Sequence, residues 1–461
     1  MKPEKVVMNT DHVRIQMPQG AAEILKTLHD DVFEAYIVGG CVRDSLLGLE
    51  PKDWDICTSA TPDETMSCMP CSHIIRTGIK HGTVTIVTDE GQYEVTTYRT
   101  DGTYSDHRHP DSVKFTTSLT EDLSRRDFTM NAMAYNDSDG LIDPFGGRND
   151  LGNAVIRCVG HPDNRFEEDA LRVLRALRFS SVYGFSVHNS TSNAIHRNAR
   201  SLRHIAKERI RDELVKLLAG KNACDILMAY SDVICEIIPE INPCRGFAQN
   251  NPYHRYTVYG HIAHAVGSYN GNDTAVNVAL LLHDIGKPQC YTEDENGGHF
   301  KGHGAISAEI TEKVLNRLCF DNKSKHDITQ LVLYHDAEFI PTEKFVKKWL
   351  NRIGPEQFER LIEVRNADIA AHAPFAQEKH YSVTREIAAI LDKVIKEQQC
   401  FTIKDLKMNG YDIMCLGVKE GKKVGDTLTF LLNGVLSGDL PNEFDELRHA
   451  AVRYIGPIDK D

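Results

Sequence analysis

The feature that most limits how this chain can fold is a strand, a glycine turn and a short helix, followed by a strand with two aspartates. Residues 35–38 are apolar and partly β-branched, which favours a buried strand. Gly39 and Gly40 allow a tight turn whose backbone can approach a ligand closely. A helix is predicted from near Val42 to near Gly48, and the amide groups at its N-terminus, together with Arg43, would attract phosphate.

The two aspartates, Asp53 and Asp55, stand two residues apart in the predicted second strand. Residues i and i+2 of a strand share a face, so the two carboxylates would lie side by side. Neighbouring carboxylates repel unless a cation lies between them, and oxygen ligands together with substrate phosphates are what Mg²⁺ prefers. The stretch therefore predicts a site that holds a nucleoside triphosphate and Mg²⁺ for in-line attack. Glu94, on a later predicted strand, is either a third carboxylate beside the pair or an exposed strand residue.

The motif G-G-x-V-R-D followed by D-W-D resembles the polymerase-β-like nucleotidyltransferase superfamily. Within it, the chain is similar to the class II branch, the bacterial CCA-adding enzymes and poly(A) polymerases. The resemblance implies that Asp53 and Asp55 are metal-binding catalytic carboxylates. It also implies a triphosphate site shaped by Gly39, Gly40, Arg43 and Asp44.

A second match to this family is the run R-R-D-F-T-x-N-A that begins at Arg125. Asn131 follows Asp127 by four residues, so a helix in this run would place both on one face. From the residues alone, the run is also consistent with a helix cap and a core helix. The resemblance implies that Arg126, Asp127 and Asn131 contact ribose and phosphate.

A third match lies in residues 166–179, which are predicted to form one helix with Asp169 and Arg172 on the same face. Asp accepts a hydrogen bond from an exocyclic amine and Arg donates to a ring nitrogen, so such a pair would select cytosine and adenine over guanine and uracil. An ordinary surface ion pair is the alternative. The family's E-D-x-x-R motif coincides with Glu168, Asp169 and Arg172, and its following arginines with Arg175 and Arg178.

The polar, turn-rich segment 99–115 is predicted to be a loop. It resembles a flexible loop, usually written with R-R-P, that the family links to the final addition of A. Here His109 replaces the second arginine. The presence of the segment favours addition of CCA or of A over addition of CC alone.

From about Tyr253 the pattern changes to histidines and aspartates at the ends of apolar runs. Imidazole with carboxylate suits a first-row transition metal or Mg²⁺. The core L-L-H-D-I-G-K resembles the HD superfamily of metal-dependent phosphohydrolases, which implies the ligands His261, His283, Asp284 and Asp368, with His303 and His335 completing a second metal site. Whether this domain hydrolyses phosphate esters, such as 2′,3′-cyclic ends, or only binds them stays open.

Composition bears on nucleic-acid binding, membrane insertion and the cellular location. The net charge of −13 does not favour a nucleic-acid binder, but residues 165–216 hold eleven Lys and Arg against six Asp and Glu, a local excess of five positive charges. There is no apolar stretch of about 18 residues, which predicts no membrane span, and the N-terminal residues lack the apolar core of a signal peptide. Twelve scattered cysteines favour reduced thiols and a cytoplasmic location.

The predicted fold class is α+β: a small mixed α/β head followed by an elongated, mainly helical neck, body and tail that includes an HD-type domain. The predicted domains are a nucleotidyltransferase head (1–150), a helical neck with the base-recognition helix (151–245), an HD domain (246–375) and a tRNA-binding tail (376–461).

The first functional hypothesis is template-independent, Mg²⁺-dependent addition of CCA to the 3′ end of tRNA from CTP and ATP. An A-adding enzyme or a poly(A) polymerase is the nearest alternative. An RNA-end or nucleotide phosphodiesterase, with the HD domain as the main activity and possible use of a transition metal, is the alternative of another class. The oligomeric state stays open.

Overall fold

The computed structural model describes residues 13–70, 72–102, 112–295 and 297–456. The chain divides into two compact units. The first contains residues 1–242 and 317–320, and the second contains residues 243–316 and 321–461. The mixed sheet at the N-terminus and the mainly helical remainder confirm the predicted fold class. The finer division into four domains stays a prediction.

The described part of the first unit begins with the strands β1 Ala35–Val38, β2 Ile56–Thr58, β3 His73–Ile75, β4 Thr83–Thr88, β5 Gly91–Thr97, β6 Arg99–Asp101, β7 Val113–Phe115, β8 Ala134–Asn136 and β9 Gly140–Ile142. Seven of them form a mixed sheet in the order β3-β4-β5-β2-β1-β8-β9. Strand β2 runs parallel to β5 and antiparallel to β1. A further antiparallel pair, β6 and β7, lies at the base of the predicted loop, and residues 103–111, including His109, are outside the described residues. A short parallel pair follows, β10 Val155–Ile156 and β11 Ser186–Val187.

Helices cover the sheet and continue the unit beyond it. Apolar side chains of β1, β2 and β8 pack with Tyr98 and Leu123 in a buried core. The helices are α1 Gln19–Asp30, α2 Gly40–Leu46, α3 Pro62–Cys68, α4 Leu119–Ser124, α5 Gly147–Gly152, α6 Pro162–Glu168, α7 Leu171–Tyr183, α8 Asn189–Asn198, α9 Lys207–Leu218, α10 Ala223–Ala229 and α11 Ser231–Ile237.

The prediction that Asp53 and Asp55 lie in the second strand is wrong by a few residues, because β2 begins only at Ile56. The backbone of Asp55 still accepts a hydrogen bond from Val38 N–H at 2.9 Å. The chain turns away at Gly39, where φ is +80°, so the residues before Asp55 have no strand partner on that side. The aspartates therefore lie on the segment that leads into the strand.

The helix predicted after Asp127 is also wrong. A 3₁₀ turn at Thr129–Asn131 is followed directly by strand β8. Phe128, Met130 and Met133 are all fully buried, so the apolar pattern reflects burial on every side rather than one helical face.

The single helix predicted for residues 166–179 is interrupted at Asp169, whose φ and ψ of −138° and 103° are extended. The cause is local, because Asp169 Oδ1 accepts the backbone N–H of Leu171 at 3.0 Å and so caps the start of α7. Aspartate favours such capping over a position inside a helix. Asp169 and Arg172 consequently do not share one continuous helix.

The second unit is mainly helical in the part of the chain that the structure describes, and its β-structure is the hairpin β12 Thr292–Asp294 and β13 Gly297–His299. Residues 400–455 form a separate buried cluster centred on Leu431 and Leu447. The remaining helices of the chain are α12 Val258–Ser268, α13 Thr274–Leu282, α14 Lys287–Cys290, α15 His303–Arg317, α16 Asn322–Tyr334, α17 Glu343–Ile353, α18 Pro355–Ala370, α19 Pro374–Lys396, α20 Gly410–Cys415, α21 Lys422–Ser437 and α22 Phe444–Ile455.

None of the helices among the described residues is both long and apolar enough to cross a membrane.

Candidate active sites

The first unit contains a cavity of about 950 Å³, which we call the head cavity. All thirteen residues predicted for catalysis and nucleotide binding line it, although they come from distant parts of the sequence. They are Gly39, Gly40, Arg43, Asp44, Asp53, Asp55, Arg126, Asp127, Asn131, Asp169, Arg172, Arg175 and Arg178.

The glycine turn fits this cavity only because it has no side chain. Gly39 has φ of +80°, a conformation that other residues rarely adopt, and a Cβ there would lie 2.9 Å from Nη1 of Arg126. Gly40 then begins α2. The turn brings backbone amide groups and the Arg126 guanidinium to the same wall of the cavity.

Asp53 and Asp55 line this wall, and a third carboxylate lies beside them. Strands β2 and β5 are parallel with Ile56 opposite Val95, so Glu94 lies beside Asp55. Burial raises the pKa of the Asp55 carboxyl, Arg126 opposes this effect, and Glu94 and Asp53 add to it. Asp55 is thus in surroundings where a cation would stabilise its charged form.

A chain of hydrogen bonds connects the glycine turn with α7. Arg43 Nη1 donates to Asn131 Oδ1 at 2.6 Å, and Asn131 Nδ2 donates to Asp127 Oδ1 at 2.9 Å. The other carboxylate oxygen of Asp127 accepts two bonds from Arg175, at 2.6 and 2.9 Å. Despite burial, Arg175 and Asn131 hold the pKa of Asp127 below its usual range. This carboxylate therefore stays charged and fixes the arginine of α7.

Asp169 and Arg172 both line the head cavity, but they do not pair with each other. Asp169 Oδ2 accepts from Arg209 at 3.0 Å, whereas Arg172 Nη1 lies 2.6 Å from Glu168. Arg172 also donates to the backbone oxygen of Arg125 at 3.1 Å. The surface ion pair considered as the alternative is not formed, and each side chain is held by its own partner at the cavity wall.

Sequence reasoning missed two aromatic side chains of the head cavity. The Tyr183 hydroxyl donates to Asp44 Oδ1 at 2.9 Å, and Arg43 lies over the rings of Phe179 and Tyr183 at 5.1 and 5.2 Å. Burial raises the pKa of Tyr183 to about 12, so its hydroxyl stays protonated at neutral pH. Their spacing of four residues along α7 was a signal that they share a face with Arg175 and Arg172.

The second unit contains a cavity of about 330 Å³, which we call the HD cavity. Its polar centre combines residues from helix ends of α12, α13, α15, α16 and α18. Two groups have ligand atoms within 4.8 Å of one another: His261 with His283 and Asp368, and Asp284 with His303 and His335. All six predicted metal ligands are therefore brought together.

Three of these histidines are oriented in the same way. Nδ1 of His283, His303 and His335 lies 2.7–2.8 Å from the carbonyl oxygen three residues earlier. A carbonyl only accepts, so each Nδ1 donates and each Nε2 is directed to the centre. Fixing one ring nitrogen in this way is typical of metal-ligating histidines.

Asp284 lies at the centre of the HD cavity. Its Oδ2 is 3.3 Å from His283 Nε2 and 2.7 Å from Lys287 Nζ, and its Oδ1 is 3.3 Å from His303 Nε2. Both oxygens and His283 Nε2 are buried without a hydrogen bond of good geometry among the described residues. Buried polar atoms of this kind need a partner, and a metal ion between them would supply one. The residues present therefore fit a metal.

Two further histidines of this region were not singled out from the sequence. His254 and His372 line the HD cavity and form a third group with His261. His372 follows Asp368 by four residues, which was a weak signal of proximity, whereas His254 precedes its helix and gave none.

Models of known families match three parts of the chain. A poly(A) polymerase head domain matches residues 35–157, a "Probable RNA and SrmB- binding site of polymerase A" matches residues 184–244, and an HD domain matches residues 253–394. These regions include both cavities.

Curated relatives are CCA-adding enzymes. That of Geobacillus thermodenitrificans is 53% identical over 209 residues, which is 45% of this chain and 51% of the relative. That of Ligilactobacillus salivarius is 50% identical over 212 residues, 46% of this chain and 52% of the relative. The chain thus spans about half the length of the curated relatives it matches.

Solved structures extend the likeness to nearly the whole chain. The Bacillus stearothermophilus CCA-adding enzyme in complex with CTP is 30% identical with a TM-score of 0.73, over 95% of this chain and 98% of that one. The Thermotoga maritima CCA-adding enzyme complexed with tRNA, at 22% identity and a TM-score of 0.59, shares the fold over 93% of each chain. The chain belongs to the class II CCA-adding enzymes, with a poly(A) polymerase head, an RNA-binding region and an HD domain.

Proposed function

We propose that this protein adds C, C and A to the 3′ end of tRNA, using CTP and ATP and releasing pyrophosphate. The observation that carries the proposal is the head cavity, where the carboxylates, the glycine turn and the arginines of α7 line one space. The terminal 3′-hydroxyl of the RNA attacks the α-phosphate of the nucleotide. A cytoplasmic location is part of the same proposal and rests on the cysteine usage of the sequence.

Asp53 and Asp55 would hold Mg²⁺, with Glu94 beside them. The raised pKa of Asp55 fits such a site, because neighbouring carboxylates disfavour its charged form unless a cation is bound. When bound, Mg²⁺ supplies charge neutralisation at the attacking and leaving oxygens. Oxygen-only ligands agree with Mg²⁺ rather than a softer metal.

The chain's own residues bind and orient the nucleotide. The start of α2 at Gly40 and the Arg126 guanidinium would face the triphosphate, whereas the Gly39 N–H is already bonded to the Met133 carbonyl oxygen at 3.1 Å. Arg43 and Asn131 connect this turn to Asp127. Its ionised carboxylate accepts from the Phe128 N–H, Asn131 and Arg175, and so fixes these groups beside the nucleotide. These side chains are held by one another before the nucleotide arrives, which lowers the cost of ordering them.

Asp169 and Arg172 choose the base without a nucleic-acid template. Asp169 has lone pairs beyond those used by Leu171 and Arg209, and it can accept from the exocyclic amine of cytosine or adenine. Arg172 is fixed by Glu168 and a backbone oxygen, and it donates to the ring nitrogen beside that amine. Guanine and uracil present the reverse pattern, which would leave both groups unpaired at a cost of about 1–3 kcal/mol.

Binding of tRNA would use the basic stretch of the neck. Arg197 and Arg203, on α8 and the turn after it, pair with carboxylates at 2.7 Å and would share these bonds with phosphate. Arg200 is 86% exposed and 4.0 Å from Glu236, so it is the most available of the three arginines. Exposed arginines of this kind neutralise backbone phosphates.

The deciding experiment maps products at single-nucleotide resolution. Purified protein, Mg²⁺ and tRNA lacking its CCA end are incubated with CTP, with ATP, and with both. Two additions with CTP, and a third only when ATP is also present, are expected. One A added only to tRNA that already ends in CC would indicate an A-adding enzyme, and long adenylate tails a poly(A) polymerase. No extension of any tRNA would contradict nucleotide transfer altogether.

A second activity, metal-dependent hydrolysis of phosphate esters by the HD cavity, is favoured by one specific observation. Asp284 and His283 have buried atoms without hydrogen-bond partners among the described residues, at the centre of six potential ligands. The imidazole-rich set suits a first-row transition metal. When bound, such a metal lowers the pKa of water and so supplies a nucleophile. Lys287, buried and 2.7 Å from Asp284, places a positive charge where a phosphate would bind.

This second activity is tested with bis(p-nitrophenyl) phosphate and the purified full chain loaded with Mn²⁺, Co²⁺ or Ni²⁺. Hydrolysis that disappears in Asp284→Asn, but persists in Asp294→Asn on the exposed hairpin of the same unit, is expected. Equal rates in both variants would contradict the assignment.

A further inference from the structure

We propose that His254, His261 and His372 form an additional metal position at the edge of the HD cavity, next to the two inner groups. The proposal rests on the metal site proposed above and extends it by one ion. One ligand nitrogen from each ring lies within 4.8 Å of one from each of the other two. The family resemblance and the motifs of the sequence assign no role to His254 or His372.

Each of the three rings keeps one nitrogen without a hydrogen-bond partner among the described residues. In each ring this nitrogen is the buried Nδ1. The His254 ring packs edge-on against the other two, with centroids 5.2 and 4.9 Å away, and the other two are stacked 5.4 Å apart. Three imidazoles that share one small volume and leave nitrogens unpaired are a set that a cation would complete.

The additional position adjoins the inner group through two shared residues. Asp368 Oδ1 lies 2.7 Å from His261 Nε2 and 3.6 Å from His372 Nε2. His261 directs Nε2 to this carboxylate and keeps its buried Nδ1 unpaired. His261 thus belongs both to the inner group with His283 and Asp368 and to the outer group with His254 and His372, and Asp368 lies within reach of both.

The outer position is accessible and selective. His254 and His372 line the open cavity, as do Lys287 and Lys301, so an ion held there faces the space where a phosphate ester would enter. Because its protein ligands are imidazoles, the position favours ions such as Zn²⁺, Co²⁺ or Ni²⁺ over Mg²⁺.

Metal stoichiometry of the full chain tests this inference independently of activity. Wild type, the double variant His254→Gln with His372→Gln, and the control His299→Gln are dialysed against Co²⁺, and bound cobalt is measured by mass spectrometry and visible absorption. His299 lines the same cavity but is exposed and lies 3.0 Å from Asp294. The double variant is expected to bind one equivalent of cobalt less than wild type, and the control the same amount as wild type.

The other outcomes are distinct. Equal cobalt in wild type and the double variant overturns the outer position while leaving the inner groups intact. The outer position is also overturned if the double variant binds as much cobalt as wild type but hydrolyses less substrate, because His254 and His372 would then contact the substrate rather than a metal. No cobalt in wild type overturns the inner site as well. If the double variant does not fold, the half-buried His372→Gln alone is titrated; an unchanged affinity for the last equivalent would contradict the proposal.

Discussion

The head cavity and the HD cavity both gather carboxylates and basic side chains, but the polar groups at their centres differ in hydrogen bonding. In the head cavity, Arg43, Asn131, Asp127 and Arg175 form a continuous set of hydrogen bonds among themselves. In the HD cavity, central atoms of Asp284 and His283 have no hydrogen-bond partner among the described residues.

This difference indicates how each site would bind its metal. A hard ion such as Mg²⁺ is commonly held by one or two carboxylates and completed by substrate phosphates, so the head cavity needs no closed ligand cage of its own. The HD cavity offers six potential protein ligands, and backbone carbonyls fix three of the four imidazoles, as suits a resident transition metal. We therefore expect the two sites to respond independently to mutation.

The largest effect is expected from replacing both Asp53 and Asp55 by alanine. Nucleotide addition should fall by about 10³-fold or more, because electrostatic stabilisation of the transferring phosphate is lost. The metal bound in the HD cavity and the hydrolysis of bis(p-nitrophenyl) phosphate should stay unchanged. The measurement is addition of CMP to tRNA alongside that hydrolysis assay, with the exposed Asp89→Asn as control. A parallel loss of both activities would contradict the expectation that the two sites respond independently to mutation.

The reciprocal change, His303→Ala with His335→Ala, should remove metal from the HD cavity and reduce hydrolysis by about 10²-fold or more, since one ligand group is lost. Nucleotide addition should remain within about twofold, because these residues belong to the other unit and do not line the head cavity. Metal analysis and tRNA extension on the same preparation check both statements. Loss of extension in a folded variant would show that the two sites are coupled.

A smaller effect is expected for Arg172→Lys. Lysine cannot keep both the Glu168 contact and a directed bond to the base, so discrimination of CTP and ATP against UTP and GTP should fall by about 10- to 100-fold, equivalent to about 1–3 kcal/mol. The ratio of kcat/KM values for the four nucleotides measures it. The exposed Arg203→Lys should leave these ratios unchanged. Unaltered discrimination in Arg172→Lys would remove this arginine from base selection.

The smallest effect is expected for Tyr183→Phe, which removes the hydrogen bond to Asp44. A net loss of about 1 kcal/mol would raise KM for CTP and ATP alike by about fivefold, with a smaller change in kcat, because Asp44 and Arg43 are less well ordered. Tyr135→Phe is the matched control, since its hydroxyl also donates to a carboxylate at 2.9 Å, that of Asp137, which does not line the cavity. Equal KM changes in both variants would contradict a specific role of Tyr183.

The sequence alone was sufficient to predict the glycine turn and the paired aspartates, because a tight turn needs glycine and adjacent carboxylates need a cation. The resemblance to the HD superfamily indicated the six residues that the structure brings together in the second unit, and their role as ligands stays a prediction. Asn131 and Asp127 were expected on one face of a helix; the helix is absent, yet the two side chains meet through a hydrogen bond of 2.9 Å.

Only the tertiary structure decided which partner each charged side chain has. Asp169 and Arg172 are three residues apart, yet they bind Arg209 and Glu168, because Asp169 caps a helix and thereby leaves the helical face. Tyr183 contacts Asp44, which is 139 residues away, and His254 meets His372 across 118 positions. Local sequence fixes backbone preference and chemical type, whereas a long-range contact depends on how whole elements pack, and no single stretch of sequence contains that information.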